Sequence, residues 1–520
     1  MGLARRAAAA LAVALLGLGG CAAPTPSPAR SAQLPSEPAR LPSRPADGRP
    51  VQPVPDVRPE GFAEPPPGAG LDRYRGQRLR WQACGSLQCA TLLVPLDYAR
   101  PDGTAITLTI GRRPYGGADG SGRVVFANPG GPGGSGLSFL AGLDGNPFGP
   151  VDVVSWDPRG SGASTPVRCW GDTAMDAYAG LDLSADDPAE RTALVDGAQR
   201  FGLSCLAGSG ALLAHLSTAE TARDLDLIRS ALGLATLDYV GLSNGTLIGA
   251  DYAQLFPDRV GRFVLDGAVN ISGSPVLQLQ GFDRALEAMA DWCVSRTSKC
   301  ALGTTRADVI GIISGLWTRL EQRPLAVGDR TLTQTLAADA TLQALYAGEG
   351  GYPVLIDALD RAERRGDGSR LLRLADGLLG RRADGSWTQF AVAYPASHCA
   401  DEPNTGLAAA WQDAAAEARK APIFGPVVGA DVECAVWPVD APKGLGKVTA
   451  PTAPPLIVIG TTGDPATPYE WAQGMAGQLP SAILVTHRGT GHTAFGSACY
   501  AEIVRPYLAD GRLPQSGTAC

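Results

Sequence analysis

Apolar residues in this chain fall first into short runs and then into blocks that alternate between two periods. Two strand-like runs, Ala90–Leu96 and Ala105–Gly111, come early, and from Val124 onward extended runs alternate with helical ones. Asp238–Leu242 reads as a short apolar strand, and Leu247–Phe256 after it carries helical spacing until Pro257 stops it. Strand, helix, strand order predicts an α/β fold with a mostly parallel, doubly wound sheet. After Arg262–Gly267 the pattern changes to amphipathic helices, among them Gly281–Val294 and Arg306–Leu320, and sheet-like runs return only at Leu456 and Ala482. That interruption predicts a helical cap over residues 270–450, inserted between two parts of one core, residues 76–269 and 451–520.

Ahead of the core the pattern is of another kind. Arg5 and Arg6 precede an apolar run from Ala7 to Leu18, followed by Gly19-Gly20-Cys21. Residues 1–21 thus read as a signal peptide, and small residues directly before a cysteine look like a bacterial lipobox, with Cys21 as the lipid-modified first residue. The run is too short for a comfortable membrane span. The expected address is export, with a lipid anchor at Cys21 holding the protein to the extracellular face of the cell membrane. Residues 22–75 are rich in Pro, Ser and Arg without apolar periodicity, and are expected to form a solvated tether.

With 520 residues, 45% of them hydrophobic, the chain has ample material for a core carrying one large insertion. A formal net charge of −7 and no visible basic stripe argue against a nucleic-acid partner. Setting Cys21 aside from the eleven cysteines leaves ten, an even number that suits disulfides in an oxidising compartment. No Cys-x-x-Cys pair or Cys/His cluster suggests a metal.

The chemistry is carried by Gly241-Leu242-Ser243-Asn244-Gly245, a Gly-x-Ser-x-Gly turn between a strand and a helix. Such a nucleophile elbow holds its serine on a sharp bend with the hydroxyl exposed, while the glycines let the helix pack close to the strand. A nucleophilic serine needs a base, and the four histidines are His215, His398, His487 and His492. His492 lies in a loop after the run Ala482–Thr486 and before the last helical segment, which suits the chain order Ser, acid, His. Asp464, in a turn after the apolar run Pro455–Ile459, is the natural orienting acid, although an aspartate before proline also makes an ordinary turn. His215 and His398 read as structural, and His487 as a packing or surface residue. Donors for a developing oxyanion are expected from Gly130 or Gly131, in the loop Asn128–Gly136, and from the Asn244 backbone. The rival reading of that loop, a phosphate cradle, lacks the Lys-Ser/Thr ending and the Rossmann spacing.

Taken together, the loop Asn128–Gly136, the run Val153–Gly162, the elbow with Tyr252–Val260, the block Asp464–Pro468 and Gly491-His492 resemble the actinobacterial tripeptidyl aminopeptidase group. These are secreted α/β-hydrolases related to proline iminopeptidases, and the resemblance covers roughly residues 75–520. It implies a Ser243–His492–Asp464 triad and no metal or organic cofactor. Where the family usually has tyrosine just after the nucleophile, this chain has Asn244, which leaves a backbone donor in place and changes the pocket wall. Proximity in sequence together with the resemblance suggests the pairs Cys84–Cys89, Cys169–Cys205, Cys293–Cys300, Cys399–Cys434 and Cys499–Cys520. The segment Ser397–Pro403 resembles a Cys-x-Asp segment of the family's cap, so Asp401 or Glu402 could hold a substrate's N-terminal amine, against the alternative of a solvated loop acid. The expectation is an extracytoplasmic serine aminopeptidase that releases short peptides or single residues from peptide N-termini through an acyl-enzyme. A carboxylesterase or lipase acting on non-peptide acyl groups is the first alternative, and a surface binding protein without catalysis the second.

Overall fold

The structure, a computed structural model, describes residues 55, 58–115, 123–296, 300–402, 404–428, 432–442 and 444–520. The leader, Cys21 and most of the tether expected over residues 22–75 lie outside the described residues. The strands are β1 (Phe62–Ala63), β2 (Gln82–Cys84), β3 (Leu87–Pro95), β4 (Ala105–Arg113), β5 (Val124–Asn128), β6 (Asp152–Trp156), β7 (Leu237–Leu242), β8 (Val260–Asp266), β9 (Leu325–Val327), β10 (Arg330–Leu332), β11 (Leu456–Gly463) and β12 (Ala482–Thr490). Ten of them form one sheet in the order β12-β11-β8-β7-β5-β6-β4-β3-β2, with β1 beside β4. From β12 to β6 every neighbour is parallel, and β4, β3 and β2 continue antiparallel. This is the mostly parallel sheet expected from the alternation of strand and helix, in the α/β-hydrolase arrangement that the resemblance implies.

Burial explains the runs. Every residue of β7 is buried, as a central parallel strand covered by helices on both faces should be, whereas β4 alternates buried and half-buried positions near the antiparallel side. On one face the helices Thr218–Ala231 and Gly245–Leu255 cover the sheet through Leu225, Ile228, Ala250 and Ala253. On the other, Ala498–Asp510 packs Val504 and Leu508 against Val264 and Ile457. The acid and base loops leave the carboxyl ends of β11 and β12, and the elbow leaves that of β7, the edge at which open parallel sheets place their sites.

Two boundaries differ from the expectation. The tether does not run unbroken to residue 75, because Phe62 and Ala63 pair with Ile106 and Ala105 and the helix Asp72–Arg75 buries Tyr74, whose hydroxyl donates to the Pro101 carbonyl at 2.9 Å. Two aromatic anchors give this proline-rich stretch the apolar contact that its periodicity does not advertise. The insertion is likewise not one body. Helices Gln278–Ser295, Arg306–Gln322, Gln334–Tyr346, Tyr352–Arg365 and Ser369–Leu379, with the hairpin of β9 and β10, bury a cluster of their own around Leu286, Met289, Trp317 and Leu359. Val392, Ala396, Cys399, Cys434 and Trp437 instead join the cluster beneath the sheet.

The five expected cysteine pairs are bonded, with Cα separations of 5.8, 4.0, 4.8, 4.9 and 5.5 Å in chain order. Loop-closure entropy gives a ranking. Cys169–Cys205 closes a separation of 36 residues and Cys84–Cys89 one of 5, so their losses should be about 4 and about 2 kcal/mol. Guanidinium titration of the paired Cys→Ser variants should show the larger midpoint drop for Cys169/Cys205, and equal drops would show that the unfolded-chain argument does not govern here.

Candidate active site

The strand-to-helix reversal after β7 is built from contacts that leave no room for side chains. A Cβ on Gly241 would lie 2.2 Å from the Gly245 carbonyl oxygen, and one on Gly245 would lie 2.8 Å from that of Asn128. Between them Ser243 takes φ +55°, a left-handed conformation that non-glycine residues seldom adopt. It is held there by donating its N–H to the Asp266 carbonyl at 2.9 Å and by accepting from Thr246 N–H at 2.8 Å. Tyr239, buried under the turn, donates its hydroxyl to the Gly245 carbonyl at 2.8 Å. The residue proposed as nucleophile therefore stands at a strained, many-times-anchored bend.

Asp464 and His492 meet across the ends of β11 and β12. Nδ1 of His492 lies 2.9 and 3.1 Å from the two Asp464 oxygens. Asp464 also accepts from the N–H groups of Ala466, Thr467 and Thr493 and from the Thr467 hydroxyl, so turn bonds and the His492 contact coexist in one carboxylate. Burial alone would lower the imidazole pKa; the Asp464 charge, its hydrogen bond and the Asp266 charge outweigh burial and hold His492 above its ordinary value. The cap reaches this histidine. Its N–H donates to the Tyr346 carbonyl at 2.9 Å, and the Tyr346 ring meets the imidazole edge-on at 5.3 Å. Nε2 is buried and makes no hydrogen bond among the described residues, the Ser243 hydroxyl included; such bonds often tighten only in the substrate complex.

The glycine loop lies directly over the elbow. A Cβ on Gly130 would come within 2.8 Å of Asn244 N and 3.0 Å of Ser243 Cβ. The Gly130 N–H is bonded to the Asn128 side chain at 2.8 Å, which makes Gly131 the stronger of the two candidates named from sequence. Gly131 at φ +118° and the Asn244 backbone are the favoured pair. Asp157 fixes the other end of the loop, accepting from the Ser135 hydroxyl at 2.6 Å and from Leu137 N–H at 3.1 Å. A small cavity opens here between Gly130, Pro132, Asn244, Ile248, Thr218 and Ser397.

The two acids suggested for amine binding part company. Asp401 is exposed as a residue, but its carboxylate turns inward to accept from Thr218 N–H at 2.8 Å and from the Thr218 hydroxyl at 2.6 Å. Burial of that end pushes its pKa up to about 6, against the two Thr218 bonds. Glu402 is exposed at the end of the helix Phe390–Asp401. Asp251, on the elbow helix and not singled out from sequence, is 6% exposed and pushed up to about 7 by burial and by the charge of Asp401. Among the other histidines, His215 bonds Glu220 at 3.0 Å, His487 lies 3.2 Å from the Thr461 hydroxyl and His398 stacks on Tyr394, all structural placements. Asp266 also escaped the sequence, since an aspartate closing a strand reads as a turn residue. No group of three or more His, Cys, Asp or Glu able to hold a metal occurs among the described residues.

Comparison with known proteins gives the lineage. Residues 123–293 match the family described as alpha/beta hydrolase fold, and residues 421–520 that described as TAP-like protein. The chain is 35% identical over 485 residues to serine protease Hip1 of Mycobacterium tuberculosis, covering 86% of this chain and 91% of the relative. It is 36% identical over 460 residues to carboxylesterase B of the same organism, covering 83% and 86%. Tripeptidyl aminopeptidase of Streptomyces lividans is 30% identical over 496 residues, covering 87% of this chain and 89% of the relative. On the parallel sheet, the elbow and this likeness along most of its length, the chain belongs to the TAP-like serine peptidase family of α/β-hydrolases.

Proposed function

We propose that this protein is an extracytoplasmic serine peptidase that releases short peptides or single residues from peptide N-termini. The observation that carries the reading is the bond between His492 Nδ1 and the accepting Asp464 carboxylate, which leaves Nε2 for the hydroxyl of a strained Ser243. In this mechanism Ser243 Oγ attacks the scissile carbonyl while Nε2 takes its proton, and the N–H groups of Gly131 and Asn244 receive the oxyanion. His492 then returns the proton to the leaving amine as the C–N bond breaks. Water, deprotonated by the same Nε2, hydrolyses the acyl-enzyme and restores Ser243. Asp464 holds the tautomer that makes each transfer possible.

Ser243→Ala and His492→Ala should each lower kcat by on the order of 10³ or more while the circular dichroism spectrum stays native. Fluorophosphonate labelling of the wild type, absent in Ser243→Ala, checks the same assignment. Near-native turnover by Ser243→Ala, on any substrate the wild type cleaves, would remove the triad.

A preference for a free N-terminus is supported by an acid that bonds a residue of the cavity wall and by a second acid coupled to it. Asp401 grips Thr218, which lines that cavity, and Asp251 feels the Asp401 charge, with Arg223 opposing it. An ammonium placed there would offset two carboxylates that burial disfavours. Acetylating a peptide substrate should therefore lower kcat/KM by roughly 10²-fold, and Asp401→Asn should weaken cleavage of the free peptide while sparing a p-nitrophenyl ester. Parallel loss on peptide and ester would assign Asp401 to holding the fold. The carboxylesterase named among the relatives makes esterase activity the second reading, which equal cleavage of free and blocked peptides would favour.

Five disulfides suit an oxidising compartment, and the leader pattern supports lipid attachment at Cys21. Cys21→Ser should abolish incorporation of labelled fatty acid and shift the protein from the membrane to the soluble fraction. Equal labelling of wild type and variant would discard the anchor.

A further inference from the structure

Asp266 closes β8 in a position that touches both catalytic loops. Its main-chain carbonyl accepts from Ser243 N–H at 2.9 Å, and its carboxylate accepts from Ala494 N–H at 2.9 and 3.1 Å, two residues beyond His492. Gly267 extends the same tie. Its N–H donates to the Ile459 carbonyl at 3.1 Å, on the strand that leads to Asp464. At φ +70° it also lies against the base, since a Cβ there would stand 3.2 Å from His492 Cε1 and 2.8 Å from Thr493 Cγ2. The carboxylate is fully buried, yet it has no salt-bridge partner among the described residues. A carboxylate so placed is disfavoured unless donors and neighbouring charges offset its lost hydration, which here come from the His492 loop.

We propose that Asp266, with Gly267, is a positioning residue for the acid–base step, joining the nucleophile's backbone to the base's loop so that the gap between Ser243 and His492 is set from β8. The inference rests on the triad reading above. Its charge has a second effect. Asp266 faces Asp464 and His492 from the neighbouring loops, the N–H groups of Ala494 and Phe495, and Tyr500 on the last helix, whose buried hydroxyl makes no hydrogen bond among the described residues. Burial first, then the Asp464 charge, push the Asp266 pKa up to about 7, while its donors and His492 oppose them. An ionised Asp266 stabilises the imidazolium, and because it titrates near His492 only its ionised fraction does so; neutralising it makes His492 somewhat easier to deprotonate. The active form carries neutral His492, and the acidic limb of the rate profile should then move to lower pH.

The test uses the full chain and a p-nitrophenyl ester. Asp266→Asn keeps an oxygen for Ala494 N–H and removes the charge. Its kcat should fall on the order of 10-fold to 100-fold with KM little changed, because a small misplacement of the base acts on the transition state. The acidic limb of kcat/KM should shift to lower pH in the same variant. Should Asp266→Asn not fold, Gly267→Ala carries the test: its methyl group presses on the His492 ring, and kcat should fall with KM preserved. Wild-type kcat with an unmoved limb in Asp266→Asn, or wild-type kcat in Gly267→Ala where only that variant folds, would overturn the proposal. Ser243→Ala, assayed beside them, separates the two failures: if it is inactive while Asp266→Asn behaves as wild type, the triad stands and the positioning role falls.

Discussion

The rest of the site depends on one close approach, that of the elbow helix to β7. With the Gly245 carbonyl only 2.2 Å from where a Cβ on Gly241 would stand, helix and strand meet backbone to backbone, and no larger residue fits at either glycine. The reversal forces Ser243 to a positive φ, and the cost of about 1–3 kcal/mol typical of such a residue must be met by the surroundings. It is met by buried groups: the Asp266 carbonyl, the Thr246 amide and the Tyr239 hydroxyl on the neighbouring carbonyl. Strain at the serine and rigidity beneath it are therefore the same fact seen from two sides.

A second constraint holds the glycine loop over that elbow. Arg159 is buried, and each of its five N–H donors has an acceptor: Asp224 twice, at 2.8 and 2.7 Å, and the carbonyls of Leu96, Pro95 and His215. Burial opposes its charge, but Asp224 and Glu220 more than compensate and keep the guanidinium protonated. Full satisfaction is what makes the buried cation tolerable, and removing one partner of such a pair typically costs about 3–5 kcal/mol. Arg159 thereby fastens the end of β3 to the helix Thr218–Ala231, while Asp157, two residues earlier, fastens the glycine loop.

How much of this was legible depended on whether a role is written in local pattern. The Ser243 turn was readable because such a bend needs glycines at fixed offsets, and the Asp464 and His492 loops because each follows a strand-like run, buried along most of β11 and half-buried in β12 at the sheet edge. Gly130 and Gly131 could not be told apart from sequence for a local reason: the Asn128 side chain takes the Gly130 amide, a bond that no spacing rule anticipates. Asp266 and Asp251 were hidden because burial and neighbours define them, and an aspartate after a strand or within a helix looks ordinary until packing removes its water. The division of the insertion was hidden too, since Phe390–Asp401 carries apolar residues as the other helices do, and only contact shows that they face the sheet.

Asn244 shows how a departure at one position acts through two atoms with separate duties. Its backbone N–H makes no demand on the side chain, and the residue begins the elbow helix at φ −56°, ψ −22° with no side-chain capping bond. Its C=O already accepts from Leu247 and Ile248, so the main chain at this position is fixed whatever residue is present. The side chain is another matter, because Asn244 lines the cavity with Pro132, Ile248 and Thr218. An aromatic ring there would fill space and present an apolar face, whereas the amide is shorter and offers both a donor and an acceptor. The main-chain geometry and the shape of the cavity are thus uncoupled at this residue, so the wall can differ while the turn that the elbow imposes stays in place.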